Sequence, residues 1–309
     1  MKIVFAGTPD FAVFPLKNLI ERGFEVVGVV TQADKPQGRK GVLTPPPVKT
    51  VALSYGLPVL QPQKIKEEIS ALRALGGDIM VTCAYGQILT QDVLDSFPLG
   101  VWNIHAGLLP KYRGASPIQS CILNGEKETG VCVMKTELGL DAGDILCVEK
   151  TDIREAETYG ELSERLSFLG GELIVKALNA LQSGNFTLTP QKEDGINVVR
   201  KIHKEQAQIH FSDKADTIVN LVRAMNPAPV AYTQVNGNKL NVYRAEKTEF
   251  DAEGEIGEIV CDIPKKGLIV KCADGYIKLT EVQASGGKKM SGSDFLNGRK
   301  VKKGDLFTC

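Results

Sequence analysis

Two periods of hydrophobic spacing alternate along the first half of the chain. Residues 2–6 (KIVFA) are a short apolar run ended by Gly7-Thr8-Pro9-Asp10. Apolar positions Phe11, Phe14, Leu16, Leu19 and Ile20 then recur at helical spacing up to Gly23, and a second apolar run fills Phe24 to Val30. Short apolar runs read as buried strands, and the longer period as an amphipathic helix. Strand, helix and strand in succession form a βαβ unit, which predicts a parallel sheet with helices on its faces. Further strands are predicted over Asp78 to Ala84 and Val101 to Ile104, then over VCVMKTEL and DILCVEKTDI after Gly130, with helical periodicity over 157–182. Residues 1–188 thus read as one α/β domain with a Rossmann-like open sheet.

The pattern then changes. Residues 189–207 are polar, with Pro190, Gly195 and the basic residues Arg200, Lys201, His203 and Lys204, as in a connector. Past Asn226-Pro227-Ala228-Pro229 come short alternating segments: AYTQV, KLNVYRA, GEIGEIV, GLIVKCADG and YIKLTEVQA. The Asn236-Gly237 pair between the first two is a hairpin signal. Residues 208–309 are accordingly predicted to form a small β-barrel, with an OB-fold the natural candidate.

Composition changes this picture only at the edges. Basic and acidic residues balance at 37 each, so any nucleic-acid contact must be local. The start, MKIVFAGTPD, lacks the features of a signal peptide, and no apolar stretch reaches the roughly 18 residues of a membrane span, so a cytoplasmic protein without a membrane partner is expected. The seven cysteines are scattered and nowhere form CxxC, which argues against a disulfide framework and against zinc.

Candidate chemistry gathers at strand ends. Asn103 and His105 stand two apart at the end of a predicted strand, so their side chains share one side and can converge on one point. An amide N–H and an imidazole so placed suit a developing oxyanion, which implies acyl transfer. The same pair could simply cap a turn and satisfy a core hydrogen bond. Asp141 and Asp144 lie in the glycine-bracketed loop Gly139-Leu140-Asp141-Ala142-Gly143-Asp144, where one acid could orient His105 or accept a proton, or the loop could be a plain Asp-rich turn. Residues Tyr85, Gly86, Gln87, Ile88 and Leu89 also follow a strand and could line a pocket beside His105, or merely lead into a helix. The Gly7-Thr8-Pro9 turn lacks the later glycines of GxGxxG, which excludes NAD and flavin sites.

Two basic clusters complete the inventory. Residues 31–49 read as a long loop with Lys35, Arg39, Lys40 and Lys49 against Asp34. Residues 288–303 carry six basic residues, including Lys288, Lys289, Arg299 and Lys300, against the single acid Asp294. Either cluster fits contacts to phosphates or a solvated surface.

Taken together, these residues resemble the folate-dependent formyltransferases. Asn103, His105 and Asp141 match the family's catalytic triad in identity, order and spacing, within motifs similar to N-x-H-x-S-L-L-P-x-Y-R-G and G-L-D-x-G-D. FAGTPDFAV, the loop ending PPPVK, the join MNPAPVAYT and the terminal SDFLNGR look like the branch acting on methionyl-tRNA. One departure is Gly107, where the family usually carries serine. The resemblance implies 10-formyltetrahydrofolate as formyl donor, initiator methionyl-tRNA as acceptor, no metal, and a monomer. It places the folate against residues 84–89 and Gly107, Leu108, Leu109 and Pro110, with Asp144 shaping the pocket. It also implies that Lys35, Arg39, Lys40, Lys288, Lys289, Arg299 and Lys300 meet the tRNA. Sugar-nucleotide N-formyltransferases resemble the chain next best. A non-catalytic nucleic-acid binder or a formyl-folate hydrolase are further alternatives, the former opposed by the intact triad.

Overall fold

Strand Lys2–Gly7 lies inside a seven-stranded sheet in the computed structural model, which describes residues 1–38, 41–261, 263–299 and 301–308. Its residues Ile3, Val4, Phe5 and Ala6 are fully buried, as a strand covered by helices on both faces requires. On one side it pairs in parallel with Glu25–Val30, which pairs with Val59–Leu60; on the other it pairs with Ile79–Cys83, which pairs with Val101–His105. The strand order therefore reverses at Lys2–Gly7, and such a reversal opens a crevice at the carboxyl ends of the strands.

The sheet is not wholly parallel. Glu128–Lys135 runs antiparallel to Val101–His105, and Ile145–Asp152 antiparallel to it in turn. These two strands are joined by the short loop that carries Asp141, and a connection this short permits only an antiparallel return.

Helix Val13–Glu21 buries Pro15, Leu16 and Leu19, and its Asn18 Nδ2 donates to the Gly171 carbonyl at 2.9 Å. Gly171 belongs to helix Tyr159–Ser183, which covers the sheet with Leu166, Leu173, Ile174 and Leu178. Residues 31–49 are not the single long loop predicted. They form a hairpin of Lys35–Gln37 with Val42–Thr44, followed by helix Pro47–Ser54. Asp34 fixes its base by accepting from Lys49 Nζ at 2.9 Å and Gln61 Nε2 at 2.7 Å.

The chain divides into two compact units, the first comprising Met1–Pro117, Glu128–Asp152 and Ser163–Val199, the second Ile118–Lys127, Ile153–Leu162 and residues from Arg200 onward. Two segments from within residues 1–188 thus group with the second unit. That unit is built on an antiparallel sheet in the order Ile259–Cys261, Leu268–Cys272, Gly275–Ala284, Asn238–Thr248, Ala231–Val235 and Phe307–Thr308. The bridge of Glu258 with Leu306, together with Ile259 N–H donating to Asp305 at 2.9 Å, links first strand to last and brings the barrel near closure. Helix Ala215–Ala224 lays Ala215, Ile218 and Val222 onto a core with Val242, Val270, Leu279 and Phe295.

Candidate active site

His105 ends its strand with a ring that is only 4% exposed, so the hydrogen bonds it makes decide its state. Its Nε2 lies 3.0 Å from the Tyr112 carbonyl, a group that can only accept, so Nε2 carries the hydrogen. Its Nδ1 lies 3.6 Å from Oδ2 of Asp141, beyond hydrogen-bond distance. Burial lowers the pKa of His105 below the ordinary histidine value, opposed by the Asp141 carboxylate and the Tyr112 bond. Burial thus favours the neutral ring.

Asp141 reaches this position from an unusual backbone. It adopts φ +45°, in the left-handed region that a side chain disfavours, and its Oδ2 accepts the Gly114 N–H at 2.7 Å. Gly143 is required by close approach, since a Cβ there would stand 2.0 Å from the Lys135 carbonyl. Asp144 holds the base of the same loop through its carbonyl, which accepts from Lys135 N–H at 2.9 Å.

Asn103 lies on the same side of the strand as His105, and its Oδ1 accepts from the Thr82 hydroxyl at 2.8 Å. With the oxygen end thus held, Nδ2 is the end able to donate. Both side chains are expected to present N–H groups to one open point; in the structure His105 Nε2 is turned instead to the Tyr112 carbonyl.

Beside these residues, the segment after Ile79–Cys83 turns at Ala84 (φ +47°) and Gly86 (φ +85°). The Tyr85 carbonyl accepts from Thr8 Oγ1 at 2.9 Å and Gln32 Nε2 at 3.1 Å, so the turn is pinned to the end of strand Lys2–Gly7. The Gln87 amide is engaged internally, accepting from Ile65 N–H at 2.8 Å and donating to the Pro62 carbonyl at 3.0 Å. Ile88 is 89% exposed, and Leu89, Leu108, Leu109 and Pro110 are half-buried, so each keeps accessible apolar surface. Gly107 is buried, and a Cβ on it would come within 3.1 Å of His105 Nε2.

Comparison with known proteins shows the family. The formyl transferase family model matches residues 1–178, and the model of the formyl transferase C-terminal domain matches residues 201–300. A methionyl-tRNA formyltransferase of Bacillus pumilus is 44% identical over 306 residues, covering 98% of this chain and 96% of its own. The chain belongs to the methionyl-tRNA formyltransferase family. Among solved structures, an N-formyltransferase of Helicobacter canadensis in complex with folinic acid and dTDP-3-aminofucose shares the fold, with TM-score 0.67, 18% identity, and coverage of 94% of this chain and 100% of that one. HypX of Aquifex aeolicus in complex with tetrahydrofolic acid gives TM-score 0.68 at 19% identity, and this chain, wholly covered, spans 51% of its length.

Within this formyltransferase fold the described basic candidates fall in both units, Lys35 in the first and Lys288, Lys289 and Arg299 in the second. Lys35 lies on the hairpin and donates to Gln32 Oε1 at 2.6 Å. Lys288 and Arg299 are exposed on the second unit, and Lys289 Nζ sits 3.6 Å above the Tyr243 ring. Arg39, Lys40 and Lys300 lie outside the described residues. Among the described residues no group of histidine, cysteine and acids is arranged to hold a metal, and no helix is long and apolar enough to cross a membrane.

Sequence reasoning missed Thr82, the backbone of Tyr112 and Gly114, and a polar link from Arg113 to Gln191. The first three stand in or opposite the recognised motifs, in K-Y-R-G and the strand beside Asn103, and could have been found there. Gln191 offered no local signal, because its partners lie 48 to 78 positions away in sequence.

Proposed function

We propose that the protein transfers the formyl group of 10-formyltetrahydrofolate to the α-amino group of methionine on initiator tRNA, in the cytosol. The observation that carries the proposal is the buried neutral His105 facing the Asp141 carboxylate at 3.6 Å beside the oriented amide of Asn103. The accessible apolar surface of Ile88, Leu89, Leu108 and Leu109 supports a flat heterocycle as the ligand. When bound there, the folate supplies an activated formyl carbon.

The residues then divide the work. Asn103 Nδ2 donates to the formyl oxygen as negative charge develops on it, with its carbonyl end held away by Thr82. The neutral imidazole and the carboxylate together would take the proton that the attacking amine must lose, directly or through water, and return it to the folate nitrogen as the bond from that nitrogen to the formyl carbon breaks, so that tetrahydrofolate leaves. An imidazolium formed at His105 is stabilised by Asp141 on one side and by the Tyr112 carbonyl on the other. Its charge in turn favours the oxyanion. No nucleophilic side chain or metal enters, because an amine attacks a formyl group directly.

Residues 208–309 are assigned to the tRNA body, through Lys288, Lys289, Arg299 and Lys300, and the basic residues Lys35, Arg39 and Lys40 to the acceptor end. Replacing Arg39 and Lys40 should therefore slow transfer more than it weakens binding, since a misplaced acceptor end sacrifices alignment. Formylation of methionyl-tRNA by purified protein with 10-formyltetrahydrofolate tests the whole reading. Formate release without an amine acceptor, or transfer to an amino sugar nucleotide in preference to methionyl-tRNA, would overturn it.

A further inference from the structure

Gln191 lies in a stretch where residues 192–198 are all exposed, yet it is half-buried and its amide is saturated with hydrogen bonds. Its Nε2 donates to the carbonyls of Asp141 and Gly143, both at 2.8 Å. Its Oε1 accepts from Arg113 Nε at 3.0 Å and Nη2 at 2.7 Å. Two donors and two acceptor positions are all that a primary amide offers, and each is used. The segment is anchored on the far side as well, where Val198–Val199 pairs in parallel with Arg113–Gly114 and Arg113 N–H donates to the Asn197 carbonyl at 2.8 Å.

The consequence concerns Asp141. Its backbone is held in the left-handed region at φ +45°, and its carboxylate is aimed by the Gly114 N–H. Gln191 grips both ends of that arrangement: the peptide of Asp141 through Nε2, and through Arg113 the residue next to Gly114. A turn with a disfavoured conformation persists only where its surroundings over-determine it. We infer that Gln191 is a positioning residue for the formyl transfer, fixing the Asp141 carboxylate against His105. This rests on the reading of Asp141 given above.

The test is single-turnover formylation of methionyl-tRNA by the full chain carrying Gln191→Ala, Gln191→Glu, Asp141→Asn, or Gln191→Ala with Asp141→Asn. Gln191→Ala should lower the transfer rate roughly 10- to 100-fold, the scale of a misplaced catalytic group, while tRNA and folate affinities change less than about twofold. Gln191→Glu keeps an acceptor for Arg113 but loses both donors to the loop, so it should fall about as far, and it serves if the alanine variant folds poorly. In both, the inflection of rate against pH should move to lower pH, because an Asp141 that drifts away no longer supports protonation of His105. In the Asp141→Asn background the alanine change should add little, since residues acting as a unit are non-additive. Wild-type rates in both single variants, or a full multiplicative loss in the double variant, would overturn the inference while leaving Asp141 in place. Normal turnover of Asp141→Asn would instead overturn the reading of Asp141, and the inference with it.

Discussion

Oδ2 of Asp141 stands 3.6 Å from Nδ1 of His105, too far for a hydrogen bond and close enough for charge to act. On the function proposed above, the pair receives the proton that the amine gives up. That separation shapes how substitutions and pH should act on this protein.

Loss of either strand-end group should be costly in the transition state. Asn103→Ala and His105→Ala are each expected to lower turnover roughly 100-fold or more, the usual effect of removing a fixed donor or proton acceptor. Thr82→Val removes only the hydroxyl that holds the Asn103 amide at 2.8 Å, so about 5- to 10-fold is expected, in keeping with the modest net worth of one hydrogen bond. Steady-state kinetics with folate affinity measured in parallel checks the ranking. Equal rates for Thr82→Val and Asn103→Ala would mean that the amide does not act as the donor.

The pH dependence follows from the direction of the His105 shift. Burial lowers its folded pKa below the ordinary value of about 6.5, outweighing the support from Asp141 and Tyr112. Below that value the unfolded chain binds a proton that the folded chain refuses, so stability falls as pH drops from about 6.5 toward the lowered native pKa. His105→Gln should flatten this fall in urea-unfolding free energies taken at several pH values. Asp141→Asn removes a group that raises the pKa, so the His105 titration followed by NMR should move still lower. A move upward would contradict the geometry.

Much of this fold was legible from spacing alone, because buried strands such as Lys2–Gly7 and Ile79–Cys83 announce themselves as short apolar runs. The antiparallel return of Glu128–Lys135 was not, since strand direction depends on the connection and on the partner strand, and apolar content carries neither. The hairpin within residues 31–49 escaped for a related reason: its strands are three residues each and exposed, so burial imprints no pattern on them. At the site, His105 and Asp141 sat in recognisable motifs, whereas Gln191 acts through main-chain carbonyls, for which sequence keeps no record.

The loop holding Asp141 should be intolerant of volume. A Cβ at Gly143 would meet the Lys135 carbonyl at 2.0 Å, and main chain cannot swing aside as a side-chain tip can. Gly143→Ala should therefore destabilise the protein by about 1 to 3 kcal/mol, in the range of overpacking. It should also displace Asp141, two residues earlier, and depress turnover beyond any loss of folded protein. Activity per folded molecule equal to that of the wild type would show that the loop can relax without moving the carboxylate.

The last prediction concerns the second unit, where Lys288 and Arg299 are exposed and Lys289 lies 3.6 Å above the Tyr243 ring in a chain of zero formal net charge. If these cations meet phosphates, each contact releases counterions, and neutralising it should flatten the salt dependence of tRNA binding by about 0.7 to 0.9 log units of slope. Replacing Lys288, Lys289 and Arg299 by glutamine should do so while leaving folate binding unchanged. Single-turnover transfer at saturating tRNA should also be unchanged, because none of the three lies in the unit that holds His105. Tyr243→Leu supplies the control: it removes the ring beneath Lys289 and its stacking contribution of about 0.5 to 1 kcal/mol, but keeps the charge. The slope should then stay as in the wild type even if affinity drops a little. Binding isotherms at four or five salt concentrations separate these cases. A triple variant with the wild-type slope would show that the cluster is solvated surface, and the phosphate contacts would have to be sought elsewhere in the chain.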